Sequence, residues 1–194
     1  MQDPISPDTR LALDLALTLR HDGHGGVTDD LADREGLTAW LRAHPALTSD
    51  ADETTLLAVR ELRAAVRSLF ARTVRPAAPS PADADVLPPV AQALRTLNAA
   101  AARRPVVPVL TWVQDTEPER EYRPAAGPDD LVARLARAAI AFLAGPDRHR
   151  LRACHAPRCV RYFLKDHPRQ EWCKPSCGNR ARVARHHERH RKIT

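Results

Sequence analysis

The chain has 194 residues, room for one ordinary domain and a small module, and no apolar run in it approaches the ~20 residues that a membrane-crossing helix needs. Its opening, MQDPISPDTRLALDLAL, lacks a basic segment followed by a hydrophobic core and a small-residue cleavage site, so a cytoplasmic protein with no membrane partner is expected. The net charge of +6 is unevenly shared: residues 146–194 hold fourteen Lys/Arg against four Asp/Glu, +10, while residues 1–145 hold sixteen against twenty, −4. With only three Phe, three Trp and two Tyr, any core has to be built from Leu, Val and Ala.

Leucine recurs at every second position from Leu11 to Leu19, a strand period written in helix-forming residues, which leaves the type of that segment open. Residues 21–26 read as a loop and residues 33–43 as a short helix burying Leu37, Trp40 and Leu41. Ser49 and Asp50 are placed to cap a longer helix over 51–72, with Leu56, Val59, Leu62, Val66, Leu69 and Phe70 on one face. Five prolines between 75 and 89 forbid continuous regular structure and mark a connecting loop. A helix over 89–102 comes next, then two hairpin arms at 105–113 and 119–122 across a turn at 114–118. Pro128 and Asp129 open another helix, with Leu131, Leu135, Ala138, Ala139 and Phe142 inward and Gly145-Pro146 ending it. No glycine-rich phosphate loop or nucleophile elbow occurs, and His21, His24 and His44 are scattered in loops, so no catalytic residue is assigned and an enzyme is not expected. The fold expected is mainly α with a minor β-hairpin component (α+β), its upstream core independent of the C-terminal segment.

All four cysteines lie in the last fifth of the chain, as Cys154-x4-Cys159, thirteen residues, then Cys173-x3-Cys177. Two short loops that each present two thiolates are how a chain grips one tetrahedral zinc, and four thiolates leave no open position for catalysis, so one structural Zn2+ is expected. His155 and His167 lie inside the motif, and His186 and His190 stand four apart, as alternative ligands. The thirteen-residue gap reads as a hairpin, residues 160–164 leading out, Lys165 to Pro168 turning, and Glu171-Trp172 leading back. From Gly178 to Lys192 the sequence suits a helix, completing a treble-clef-like module that ends in a basic helix. Even after subtracting the −2 of a four-thiolate zinc site, +8 remains on the tail, the electrostatic footprint of a polyanion binder.

Trp172-Cys173, then Cys177-Gly178-Asn179-Arg180 and a basic helix, resembles the CGNR zinc finger family, and His167-Pro168-Arg169-Gln170 is similar to a variant of that family's hairpin. Such fingers usually follow an ABATE domain, which the alanine-rich helices and the Leu97-Asn98 element resemble. The resemblance implies an ABATE-like regulatory domain over 1–145 and a CGNR-type zinc finger over 146–194, in a bacterial-type, stress-induced transcription regulator. ABATE sequences often carry an Asn-Thr pair after the first apolar segment; Leu17-Thr18 stands here, which implies an altered site for any small-molecule effector.

The function expected is zinc-dependent binding of double-stranded DNA, with the upstream domain sensing an effector or forming a homodimer. Arg182, Arg185, Arg189 and Lys192 fall at i, i+3, i+7 and i+10, one stripe about 80° wide that is free to meet a groove. Arg180 lies toward the cysteine side, where packing or a hydrogen bond to a thiolate is its expected role. The alternative is an RNA-binding or protein-protein module, in which Tyr162, Phe163 and Trp172 stack on unpaired bases instead of filling the zinc module's small core.

Overall fold

The computed structural model describes residues 5–22, 24, 26–83 and 86–191. Helix α1 (Pro7–Ala16) is capped by Ser6, whose Oγ accepts from the Thr9 N–H at 3.1 Å, with Pro7 at the first helical position. Leu11, Leu13 and Leu15 of the alternating series are therefore helical, while Leu17 is the C-cap and Leu19 begins the strand that follows. Ala12, Leu13, Leu15 and Ala16 are all buried and Leu11 and Leu17 half-buried, so the segment is covered on most sides and its sequence shows no narrow apolar stripe. Strands β1 (Leu19–His21) and β2 (Val27–Asp29) pair antiparallel, and Asp33 caps α2 (Arg34–Arg42), which buries Leu37, Trp40 and Leu41.

Helix α3 (Glu53–Thr73) is the axis of the fold. Its cap is Asp52, accepting from the Thr55 N–H at 2.7 Å, and not Ser49 or Asp50; only Asp52 combines extended backbone with a carboxylate three residues before a free N–H. Helix α4 (Val90–Ala102) comes after the proline-rich connection. Strands β3 (Val106–Thr111) and β4 (Glu119–Pro124) form a largely exposed hairpin. Helix α5 (Leu131–Ala144) is capped by Asp130, one residue beyond the expected opening pair, and buries Leu131, Leu135, Ala138, Ala139 and Phe142. Helices α1, α3, α4 and α5 pack around Phe70, whose ring meets Phe142 edge-on at 5.2 Å between centroids. No helix among the described residues is long and apolar enough to cross a membrane.

The C-terminal segment begins with β5 (Leu151–Ala153) and β6 (Tyr162–Leu164), paired antiparallel with Leu151 opposite Leu164 and Ala153 opposite Tyr162, and ends with α6 (Pro175–Arg191). The hairpin expected between 160–164 and Glu171-Trp172 is thus a different one. Tyr162–Leu164 pairs upstream because Leu151, Ala153, Tyr162 and Leu164 all join the core built by the helices, and residues 171–172 offer no such face. The packing crosses the division placed at 145/146, and the upstream core is completed by residues beyond that division.

Two arginines on α3 tie it to other elements, and one of them, Arg67, reaches across this joint. Arg67 and Asp83 form an ion pair in which each side chain is 1% exposed, with Nε donating to Oδ1 at 2.7 Å. Arg67 Nη1 donates to the Ala16 carbonyl at 2.6 Å and Nη2 to Ser80 Oγ at 3.2 Å and the Val160 carbonyl at 3.4 Å, and the guanidinium lies 5.2 Å from the Tyr162 ring centroid. Tyr162 donates its hydroxyl proton to the other Asp83 oxygen at 2.7 Å and meets Phe70 edge-on at 5.5 Å. Burial first, and the Asp83 charge second, push the phenol well above its ordinary range and keep it a proton donor. One turn earlier, Arg63 donates to Asp29 at 2.7 Å and to Thr18 Oγ1 at 3.0 Å. Burial alone raises the Asp29 carboxyl, but the Arg63 guanidinium and the Leu31 N–H outweigh it and hold Asp29 below the usual carboxylate range.

Because Arg67 is buried, removing its counter-charge and removing a neutral donor should differ in cost. Asp83→Ala strands a cation inside the protein and is expected to cost about 3–5 kcal/mol, against about 1–3 kcal/mol for Tyr162→Phe, which loses one hydrogen bond and keeps the ring. Urea denaturation of the two variants reads this directly, and an Asp83→Ala cost no larger than that of Tyr162→Phe would contradict the role given to the pair.

Candidate metal centre and basic helix

Cys154 follows β5 directly, its N–H donating to the Arg161 carbonyl at 2.9 Å and so continuing the ladder for one more rung. The chain then turns tightly through Pro157 and through Arg158, a non-glycine residue at φ 64°, so that the Cys159 N–H reaches the Ala156 carbonyl at 2.9 Å. On the other side, residues 166–172 close a compact turn. Gln170 accepts from the Asp166 N–H at 2.7 Å and donates to the Trp172 carbonyl at 3.2 Å, while His167 Nδ1 accepts from the Arg169 N–H at 3.1 Å. Cys173 leaves that turn, and Cys177 sits in the first turn of α6, where the helix dipole favours a thiolate.

The four Sγ atoms lie within 4.8 Å of one another and form no disulfide. Cys159 to Cys173 is 3.7 Å and Cys173 to Cys177 is 3.5 Å, close to the edge of about 3.8 Å that a tetrahedron with Zn–S near 2.3 Å requires. The donor set and spacing fit one structural metal ion. Left to one another the thiols share protons: Cys159 and Cys173 donate toward Cys154, which lowers Cys154 strongly, pushes Cys159 up to about 11 and raises Cys173 further. A dication reverses this by taking all four as thiolates, so metal uptake releases protons and acid opposes it.

The surroundings complete the centre. Arg180 Nη2 donates to Cys177 Sγ at 3.1 Å. Phe163 is buried among Cys154, Ala156, Cys159 and Cys177, and Trp172 packs half-buried against the same cluster. Glycine at 178 lets the helix approach Trp172 closely: a Cβ there would stand 3.1 Å from Trp172 Cδ1, and the indole would have to give way by a few tenths of an ångström. Tyr162 parts from the other two aromatics, because neighbours on a strand face opposite sides and Phe163 already takes the metal side. None of the candidate histidines joins the cluster; His155 is exposed, and His186 and His190 hydrogen-bond each other at 3.1 Å.

Past Ala181, which is buried, α6 leaves the body of the protein. Arg182, Arg185 and Arg189 are exposed and have no carboxylate partner among the described residues; Arg182 donates to Asn179 Oδ1, Arg185 to the Ala181 carbonyl and Arg189 to the Arg185 carbonyl. Lys192, the fourth member of the expected stripe, lies outside the described residues. Sequence reasoning missed Asn179 as the partner of Arg182, and it missed the Arg67, Ser80 and Asp83 network. An arginine one turn after another on a helix face otherwise filled by Leu, Val and Phe was the available signal for the latter.

Two family models match the chain. One, ABATE, described as "Putative stress-induced transcription regulator", covers residues 9–146, and the CGNR zinc finger covers residues 150–190. Both are of regulator and zinc-finger type, not families of enzymes. No curated protein matches the chain.

The hydrogen bond from Arg180 to a metal-facing sulfur predicts that Arg180→Ala weakens zinc retention about 10- to 100-fold, as losses of groups that bond metal ligands do. Competition against a chromophoric chelator, starting from protein with one zinc per chain, measures it. Retention equal to wild type would show that Arg180 serves elsewhere. The same titration repeated at falling pH should show progressively easier release, since protons reclaim the thiolates.

Proposed function

We propose that this chain, which belongs to the ABATE family and carries a CGNR zinc finger, is a zinc-dependent transcription regulator that docks its last helix on double-stranded DNA. In this reading residues 1–145 form the regulatory part and residues 146–194 the DNA-binding part. Cys154, Cys159, Cys173 and Cys177 hold the ion, and Arg182, Arg185, Arg189 and Lys192 meet the nucleic acid.

One observation carries the reading. Helix α6 is rooted by Cys177 and Ala181, then projects with three exposed arginines that no carboxylate among the described residues neutralises. A structural helix face of that charge normally pairs with acidic neighbours, and the segment from 146 onward has only four to offer. A helix of α dimensions fits the major groove, where arginine can contact phosphate or the edge of guanine. The RNA reading is the weaker one, because stacking on unpaired bases needs exposed aromatic faces, and of its three candidates Tyr162 and Phe163 are buried and Trp172 is half-buried.

Affinity for one duplex measured against salt tests the proposal in the zinc-loaded chain. Arg185→Ala and Arg189→Ala are each expected to weaken binding to all sequences and to flatten the salt slope by about one unit, if they contact phosphates. A base-edge contact would instead relax specificity at one position at about 1–3 kcal/mol. Arg95→Ala, an exposed charge on α4, is the control. Stripe variants that behave like the control while zinc content holds would overturn the assignment of α6.

A further inference from the structure

A cleft lies at the joint between the two parts, and neither the metal centre nor the basic helix uses it. It has a volume of about 900 Å3, within the range of small-molecule sites. Four arginines line it: Arg72 and Arg75 from the end of α3, and Arg148 and Arg152 from the segment that enters and forms β5. His149 adds a fifth basic group, and no acidic residue lines the walls.

These arginines differ from others in the protein. Arg63, Arg67, Arg104 and Arg150 each have a carboxylate partner, whereas among the described residues none of the four in the cleft does. Two are steadied by backbone: Arg148 donates to the Ala144 carbonyl at 3.2 Å, and Arg152 to the His149 and Leu151 carbonyls at 2.8 and 2.7 Å. The ends of α3 and α5 converge on the cleft and attract cations, but two helix C-termini supply only about −1 in all. Set against four guanidinium groups, that leaves an excess of about +3. The floor is apolar, made by buried Leu97 and half-buried Ile140 and Leu143, with Leu94 46% exposed at the rim.

A duplex backbone has no use for a recessed hydrocarbon floor, and an inorganic anion has none either. We propose that this cleft binds a small amphipathic organic anion, with a carboxylate or phosphate on the arginines and an apolar body over Leu97, Ile140 and Leu143. Because Arg72 lies in the last turn of α3 and Arg75 just past its end, while Arg148 and Arg152 lead into the zinc hairpin, the ligand bridges the joint and stabilises it.

The test uses the zinc-loaded full chain and decanoate as the probe, with acetate and octylamine as comparisons, by calorimetry and thermal melting. Decanoate is expected to bind saturably, one per chain, and to raise the melting temperature. Acetate lacks the body and octylamine has the wrong charge, so each should bind at least about tenfold more weakly. Arg75→Glu combined with Arg152→Glu should weaken decanoate about tenfold or more, the size of one lost charged hydrogen bond. Leu94→Glu, a change at an exposed position that the fold does not need, should do the same if the double variant fails to fold. Decanoate binding that does not saturate, is matched by octylamine, or survives these substitutions overturns the proposal. So does a result in which the substitutions lower duplex affinity and leave decanoate untouched, which would give the cleft to nucleic acid.

Discussion

A single buried cation governs how this chain is put together. Arg67 is almost wholly removed from water, so its guanidinium depends on partners inside, and it finds four acceptors on three separate stretches: the end of α1, the turn at 80–83, and the approach to β6. A buried ion pair contributes little net stability compared with a well-packed apolar pair, because desolvation consumes most of the Coulombic gain. What it contributes is position. With Asp83 shared between Arg67 and the Tyr162 hydroxyl, a strand that packs anywhere else leaves a charge or a donor unmet.

Strand β6 carries that constraint to the metal centre. Tyr162 faces the helical core and Phe163 faces the cysteines, so two successive residues are held by two different devices, a polar network on one side and a thiolate cluster on the other. Through Cys177 the same cluster roots α6, whose arginines then project from a fixed base. The basic cleft lies at the same joint, with Arg152 on β5 beside α3 and α5. Metal centre, core and projecting helix are thus linked by packing and by the Arg67 network rather than through a flexible tether.

Much of this was legible in the chain. The two cysteine pairs with their spacing announced a metal site, because no packing argument clusters all the thiols of a protein into its last fifth. The apolar positions of α3 and α5 were clear because their large apolar residues recur at helical spacing. Other features depended on tertiary context. The Leu11 to Leu19 alternation carried a strand-like period and no helical stripe because α1 is covered on most sides. The partner of β6 was misread because three residues, Leu151 to Ala153, are too short to announce a strand, and their identity as one depends on the helices they pack against. Tyr162 could not be told from Phe163 by type; only the strand's alternation, once its register was known, sent them to opposite sides.

The central claim is that the metal centre and the helical core are one structure joined through β6 and Arg67. Amide hydrogen exchange along the chain, with zinc bound and after chelation, tests it most directly. Chelation is expected to lower protection not only in residues 151–181 but also in the turns of α3 around Arg63 and Arg67. Loss of protection confined to the residues from Cys154 onward, with α3 unchanged, would contradict it.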